Sequence, residues 1–161
     1  MRPDAVRIRP YRDADAAALA AVFEQAVREI ASRDYSPSQI AAWIGDEPRE
    51  SRFRQKMADG RRCWVAVDDQ DRVTAFVDLE PDGHIDVLFA DPAVAGRGVT
   101  GALLDVLEQA ARESGLSRLY VEASEPARRF FLKQGFAEIA RRDFRLAGVP
   151  IHNFRMEKRL S

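Results

Sequence analysis

The sequence predicts a mixed-sheet α/β domain of element order β-α-α-β-β-β-α-β-α-β-β, and three observations carry that prediction. Residues 63–67, 73–79 and 85–89 are strand-like runs separated only by Asp68-Asp69-Gln70-Asp71 and Pro81-Asp82-Gly83. Polar turns that short join antiparallel neighbours, so the middle of the chain is a meander. The run Asp91-Pro92-Ala93-Val94-Ala95-Gly96-Arg97-Gly98-Val99-Thr100-Gly101 then opens an amphipathic helix. Residues 119–123 return as a strand, which a helical crossover makes parallel to the strand before the loop.

Val6-Arg7-Ile8-Arg9-Pro10 alternates apolar and polar residues and ends on proline, the pattern of a short strand. Asp13 or Asp15 offers an N-cap to a helix whose Leu19, Val22, Phe23, Ala26, Val27 and Ile30 recur at helical spacing. Ser36 as cap and Pro37 at the first position open a second helix, through Ile40 and Trp43 to Gly45. The charged stretch from Pro48 to Asp59 reads as helical. Beyond the glycine-rich run, Leu103, Leu104, Leu107, Ala110 and Ala111 mark a helix ending at Gly115. Ser124 precedes a helix carrying Phe130 and Phe131 and stopped by Gly135. Residues 137–146 and 149–158, around Gly148, read as a closing hairpin. No repeat, linker or low-complexity segment divides the 161 residues, which predicts one domain over 1–161.

Composition excludes several classes. Hydrophobic residues at 46% and charged residues at 32% are ordinary for a folded soluble chain. A net charge of −1 lacks the basic excess of a nucleic-acid binder. No stretch approaches the roughly 18 apolar residues of a membrane span. Met1-Arg2-Pro3-Asp4 lacks the apolar core of a secretory signal. Cys63 is the lone cysteine, so no disulfide framework or cysteine-rich metal site is expected. The expectation is a cytoplasmic protein with no metal, membrane or nucleic-acid partner. Arginine far outnumbers lysine, which occurs only at 56, 133 and 158. A GC-rich coding genome accounts for that; the functional reading is that Arg97, Arg128 and Arg129 hold phosphates bidentately.

The glycine-rich run carries the chemistry. Glycines 96, 98 and 101 tolerate positive φ and let a ligand approach the backbone, and the helix start offers unpaired N–H groups and partial positive charge. That is an anion cradle, usually for phosphate. Gly96-Arg97-Gly98-Val99-Thr100-Gly101 matches the dinucleotide pattern, with Glu122 at a suitable distance. The context disfavours it, because a meander precedes the loop and too little chain follows for further βαβ units. No Gly-Lys-Ser/Thr follows the glycines, which excludes a P-loop.

Leu88-Phe89-Ala90-Asp91-Pro92 running into Gly96-Arg97-Gly98-Val99, and Glu122-Ala123-Ser124-Glu125-Pro126-Ala127-Arg128-Arg129-Phe130-Phe131 continuing to Gly135-Phe136, resemble two segments of the GNAT family of acetyl-CoA-dependent N-acyltransferases. Tyr35-Ser36-Pro37-Ser38-Gln39-Ile40, Trp43 and the closing Asn153-Phe154-Arg155-Met156-Glu157-Lys158 are similar to one bacterial subgroup. The resemblance covers essentially the whole chain and implies the GNAT fold, with splayed central strands.

It further implies an N-acetyltransferase using acetyl-CoA as donor. The CoA pyrophosphate would rest on backbone N–H groups of Gly96, Arg97, Gly98, Val99, Thr100 and Gly101. The pantetheine arm would pair with Phe89 and Ala90, and an edge N–H would stabilise the oxyanion formed as an amine attacks. Ser124 either bonds the cofactor or caps its helix; Arg128 is a phosphate ligand by the arginine argument above. Three positions depart from the family pattern: Ala95, Thr100, and Phe131 where many members have a proton-donating tyrosine. Candidates for the general base are Asp86 and Glu122, with His152 lining the acceptor side and His84 read as an exposed turn-end residue. Tyr35 and Trp43 fall in the region that usually walls the acceptor, and Cys63 reads as a buried strand residue. The acceptor is a primary amine of a small molecule or protein. Phe131 and Ala95 also suit a non-catalytic acyl-CoA-binding sensor, and the closing hairpin suits a homodimer.

Overall fold

The computed structural model describes residues 6–160, so the start read as Met1–Asp4 lies outside the described part. Strands β1 (Arg7–Pro10), β2 (Arg62–Val67), β3 (Val73–Leu79) and β5 (Leu88–Ala90) form one antiparallel sheet in the order β1-β2-β3-β5. A second sheet, β4-β6-β8-β7, joins β4 (His84–Ile85), β6 (Arg118–Ala123), β8 (Val149–Arg159) and β7 (Ala137–Leu146). Within it only β4 and β6 run parallel, as the helical crossover requires. Among the described residues, no helix is long and apolar enough to cross a membrane.

Helices cover both faces. α1 (Ala16–Glu29), α2 (Pro37–Ile44) and α3 (Arg49–Met57) bury Leu19, Phe23, Val27, Ile40 and Phe53 against Val65 and Phe76. α4 (Val99–Glu113) and α5 (Glu125–Lys133) bury Leu103, Leu104, Leu107 and Phe131 against Val77, Leu119 and Met156 on the opposite side. α2 starts as its sequence requires: Gln39 N donates to Ser36 Oγ, Ser36 N donates to Gln39 Oε1, and Pro37 occupies the first turn. Asp15 does not cap α1. Its carboxylate accepts from Arg12 N at 2.8 Å and pairs with Arg9, holding the loop that enters the helix.

The third run of the meander departs from its expectation of one continuous strand at 85–89. It is broken at Asp86–Val87 into β4, which belongs to the second sheet, and β5, which belongs to the first. The cause is one buried side chain. Asp78, fully enclosed on β3, accepts hydrogen bonds on Oδ1 from Asp86 N at 2.9 Å and Val87 N at 2.8 Å. Its Oδ2 accepts from Arg61 Nη1 at 2.7 Å. A carboxylate inserted where the ladder would continue satisfies the backbone groups the break leaves behind, so the strand changes sheets without orphaning buried donors.

Candidate active site

The break opens a gap between β5 and β6. Asp91 N donates to Thr74 O at 2.8 Å and Asp78 N donates to Val87 O at 3.2 Å. Alternate residues of an antiparallel strand point their N–H and C=O groups to opposite edges. Val87, Phe89 and Asp91 therefore face β3, while Leu88 and Ala90 present theirs to the gap. This corrects the expectation for Phe89, whose backbone is engaged with Phe76; the free edge groups belong to Leu88 and Ala90. Two cavities meet across Leu88, Phe89 and Ser124, and together they make one cleft through the molecule.

The first, of about 330 Å³, lies at the glycine loop and is bordered by Ala90, Ala95, Gly96, Thr100, Phe130 and Lys133. Gly96 and Gly98 have φ of +77° and +82°, the left-handed region where a side chain is strained. Gly98 is the N-cap of α4 and supplies no side chain to its first turn, so the N–H groups of Val99, Thr100 and Gly101 have no intrahelical acceptor. Arg97 differs from expectation, because its N–H donates to Val94 O at 3.2 Å and closes the turn. Gly101 is helical, and a Cβ there would meet only Gln134 Nε2 at 3.9 Å, so nothing in the fold itself demands glycine.

Ser124 makes no side-chain cap to α5. Instead Glu125 N donates to the Tyr35 hydroxyl at 3.0 Å, and that hydroxyl donates to His152 O at 3.0 Å. The Ser124 side chain is thus left to the cleft, on both of whose cavities it borders. Arg128, expected on the phosphate, borders neither cavity: it pairs with Glu138 of β7 and lies over the Phe154 ring. Arg129 borders the cleft but is held by both Asp34 oxygens, at 2.8 and 3.2 Å. Lys133, to which the sequence assigns no role, is the cation there with no ion pair among the described contacts.

The second cavity, of about 350 Å³, places the candidate bases on one wall system. Glu122 Oε1 lies 2.8 Å from His84 Nε2, and His84 Nδ1 lies 2.9 Å from Glu80 Oε2. His84 is not the exposed turn-end residue expected: its side chain is 14% accessible and stacks on Tyr120 with ring centroids 4.7 Å apart. The bond to Glu122, reinforced by Glu80 against the cost of burial, pushes its pKa up to about 9. The same bond holds the Glu122 carboxyl below its ordinary range. Asp86 borders the cavity too, gripped by Lys56 Nζ at 2.6 Å and Arg61 Nη1 at 3.1 Å. Burial opposes its ionisation, but Lys56 and Arg61 outweigh that and lower its pKa. Phe131 reaches this cavity from the core and offers no proton. Burial pushes the Cys63 thiol up, leaving it inert.

Comparison with known proteins gives the family and the fold. A family model described as an acetyltransferase (GNAT) domain matches residues 31–158. Over 151 residues the chain is 36% identical to the uncharacterized N-acetyltransferase YafP of Escherichia coli, spanning 94% of each protein. A crystal structure of a GCN5-related N-acetyltransferase from Rhodopseudomonas palustris superposes with a TM-score of 0.90 at 34% identity, over 99% of both chains. The PaiA N-acetyltransferase of Thermoplasma acidophilum, solved with coenzyme A, shares the fold at a TM-score of 0.78 and 17% identity, over 97% of this chain and 99% of that one.

Proposed function

The chain belongs to the GNAT family of acetyl-CoA-dependent N-acetyltransferases, and from that premise we propose that its single domain moves the acetyl group directly onto a primary amine bound in the cavity beside Glu122. Acetyl-CoA supplies an activated acyl carbon and a thiol leaving group. The residues of the cleft fit it: unpaired N–H groups at the start of α4 suit a pyrophosphate, and the free edge of β5 suits an amide-bearing arm. The one observation that carries the reading is the Asp78-pinned break, because it sets free Leu88 and Ala90 groups between the two cavities. An N–H at Leu88 or Ala90 faces the point where negative charge develops on the carbonyl oxygen. Ser124 and Lys133 contribute a hydroxyl and a positive charge on the donor side.

Glu122 receives the ammonium proton through water, and His84 holds its carboxylate toward the cavity from behind. The pair titrates as a unit, and its proton-accepting form predominates above about pH 9. Activity should therefore rise with pH through about 9 and level off only above it. A weakly basic amine, already neutral at pH 7, separates enzyme from substrate: the rising limb should persist with wild type and shift by at least one pH unit in His84→Gln. An identical limb in the variant would remove His84 from the proton path. For stability the sign is opposite. The His84 contribution is complete below the unfolded value of 6.5 and lost as pH rises through about 9.

The function is tested by thiol release from acetyl-CoA across a broad amine panel; tight donor binding without turnover of any amine would reject it. The loop is tested separately. Gly98→Asp puts a strained residue and a carboxylate at the phosphate cradle, and calorimetry should show CoA affinity falling by about 100-fold or more, roughly 2.7 kcal/mol. Wild-type affinity would detach the loop from the donor. We place the protein in the cytoplasm, with homodimerisation through β7 supported by the unpaired outer edge of its ten residues.

A further inference from the structure

The acceptor cavity holds an imbalance of charge that the transfer reaction does not require. Five ionisable side chains other than histidine and tyrosine border it: Arg49, Lys56 and Arg142 are cations, Asp86 and Glu122 anions. Both anions already have cationic partners, Asp86 in Lys56 and Arg61, and Glu122 in His84. Arg49 and Arg142 pair with no carboxylate among the described contacts. Arg49 Nη2 donates to Ile44 O at 2.6 Å and reaches Trp43 O at 3.4 Å, which anchors the group at the end of α2. Its guanidinium lies 4.5 Å from the Phe23 ring centroid, and its Nε is buried without a hydrogen-bond partner. Glu47 acts on it through its charge but pairs with Arg52 at 3.3 Å. Across the cavity Arg142, exposed, reaches the neutral Asn153 Oδ1 at 3.5 Å and lies 5.7 Å from the Phe144 ring centroid, and it acts on Glu122 through its charge without forming an ion pair with it.

A half-buried guanidinium with an orphaned donor and no counter-charge is an incomplete ion pair, and an anionic acceptor completes it better than a neutral one. Guanidinium matches carboxylate in shape as well as charge. On the reading that Glu122 receives the amine, we infer that the acceptor is a small amino-carboxylate, its ammonium directed to Glu122 and its carboxylate to Arg49 and Arg142. The volume agrees: about 350 Å³ is at the low end of small-molecule sites, suited to a molecule of amino-acid size. The single binding mode also fixes which end of the acceptor meets the thioester.

The test is thiol release with the common amino acids, each alongside its carboxamide, with thermal-shift binding of the same compounds in parallel. At least one amino acid should exceed its amide about 100-fold in kcat/KM. Arg142→Gln and Arg49→Met should each reduce that acid-to-amide ratio at least tenfold, chiefly through KM for the acid, and Arg49→Lys should restore part of it. Because Arg49 also anchors α2, Arg142→Gln carries the test if Arg49→Met fails to fold. Amides used as well as acids, or ratios unchanged in the variants, would overturn the inference and leave the transferase standing. Acids that bind in preference to amides without any thiol release would uphold the anion site and overturn the acceptor assignment, and the broad amine panel then decides the transferase. Acids that neither bind nor react would overturn the inference.

Discussion

Glu122→Gln should lower kcat by about 10²–10³-fold, the range for losing a positioned general base, while acetyl-CoA affinity stays within a factor of two. The glutamine keeps an oxygen facing His84 Nε2 and preserves the volume of the site, so only the proton-accepting charge is lost. The charge also sets the state of the histidine. Without it the pKa of His84 should fall from about 9 toward its ordinary value, leaving Glu80 as the remaining acidic partner. The variant should then lose the rising limb of its pH profile, and a titration of the imidazole by NMR should show the downward shift directly. Asp86→Asn is the contrasting case. Its carboxylate is paired with Lys56 and Arg61, neither of which can take over a proton as the His84 imidazole can behind Glu122, and its loss should cost less than tenfold. A large loss for Asp86→Asn with a small one for Glu122→Gln would exchange the two assignments.

The elements that were legible in the sequence share one property: a local signal that no distant residue contradicts. Ser36-Pro37-x-Gln39 folds as a capped helix start because its bonds are all made within four residues. The strand at 73–79, the hairpin around Gly148 and the helix of Leu103, Leu104 and Leu107 likewise follow from period and turn chemistry. What escaped is set by side chains meeting across the fold. His84 follows a turn glycine and reads as exposed, yet it becomes a buried bridge because Glu80 and Glu122 arrive from two other strands' ends. Arg128 sits one residue from Arg129 in a basic pair, and only helix phase decides that one turns to Glu138 and the other to the cleft. Phe89 and Leu88 differ in the same way, by the alternation of a three-residue strand. One signal was available and unread: Asp78 is the sole charged residue in Val73–Leu79, and an acidic side chain inside an apolar strand implies a buried partner.

Asp78→Ala should be the most damaging single change to the scaffold, because it removes three accepted hydrogen bonds at once. Asp86 N and Val87 N lose their acceptor in a site closed to solvent, and Arg61, 8% accessible, loses its most buried counter-charge. Breaking a buried ion pair from one side costs about 3–5 kcal/mol. For a chain of this size each kcal/mol lowers the melting temperature by about 2–4 °C, so a fall of roughly 6–20 °C is expected. Arg61 keeps Asp59, Glu80 and Asp86 as partners, which places the expected result in the lower half of that range. Asp78→Asn separates scaffold from site. Its amide oxygen can still accept from Asp86 N and Val87 N, so the break between β4 and β5 and the free edge at Leu88 and Ala90 should survive even though Arg61 faces a neutral group. The asparagine variant should thus melt earlier than wild type and bind CoA normally, whereas the alanine variant should lose both stability and CoA affinity. Equal CoA affinity in the alanine variant and wild type would mean that the gap is held open by something other than Asp78. The two helical layers that flank the sheets would then have to be its cause.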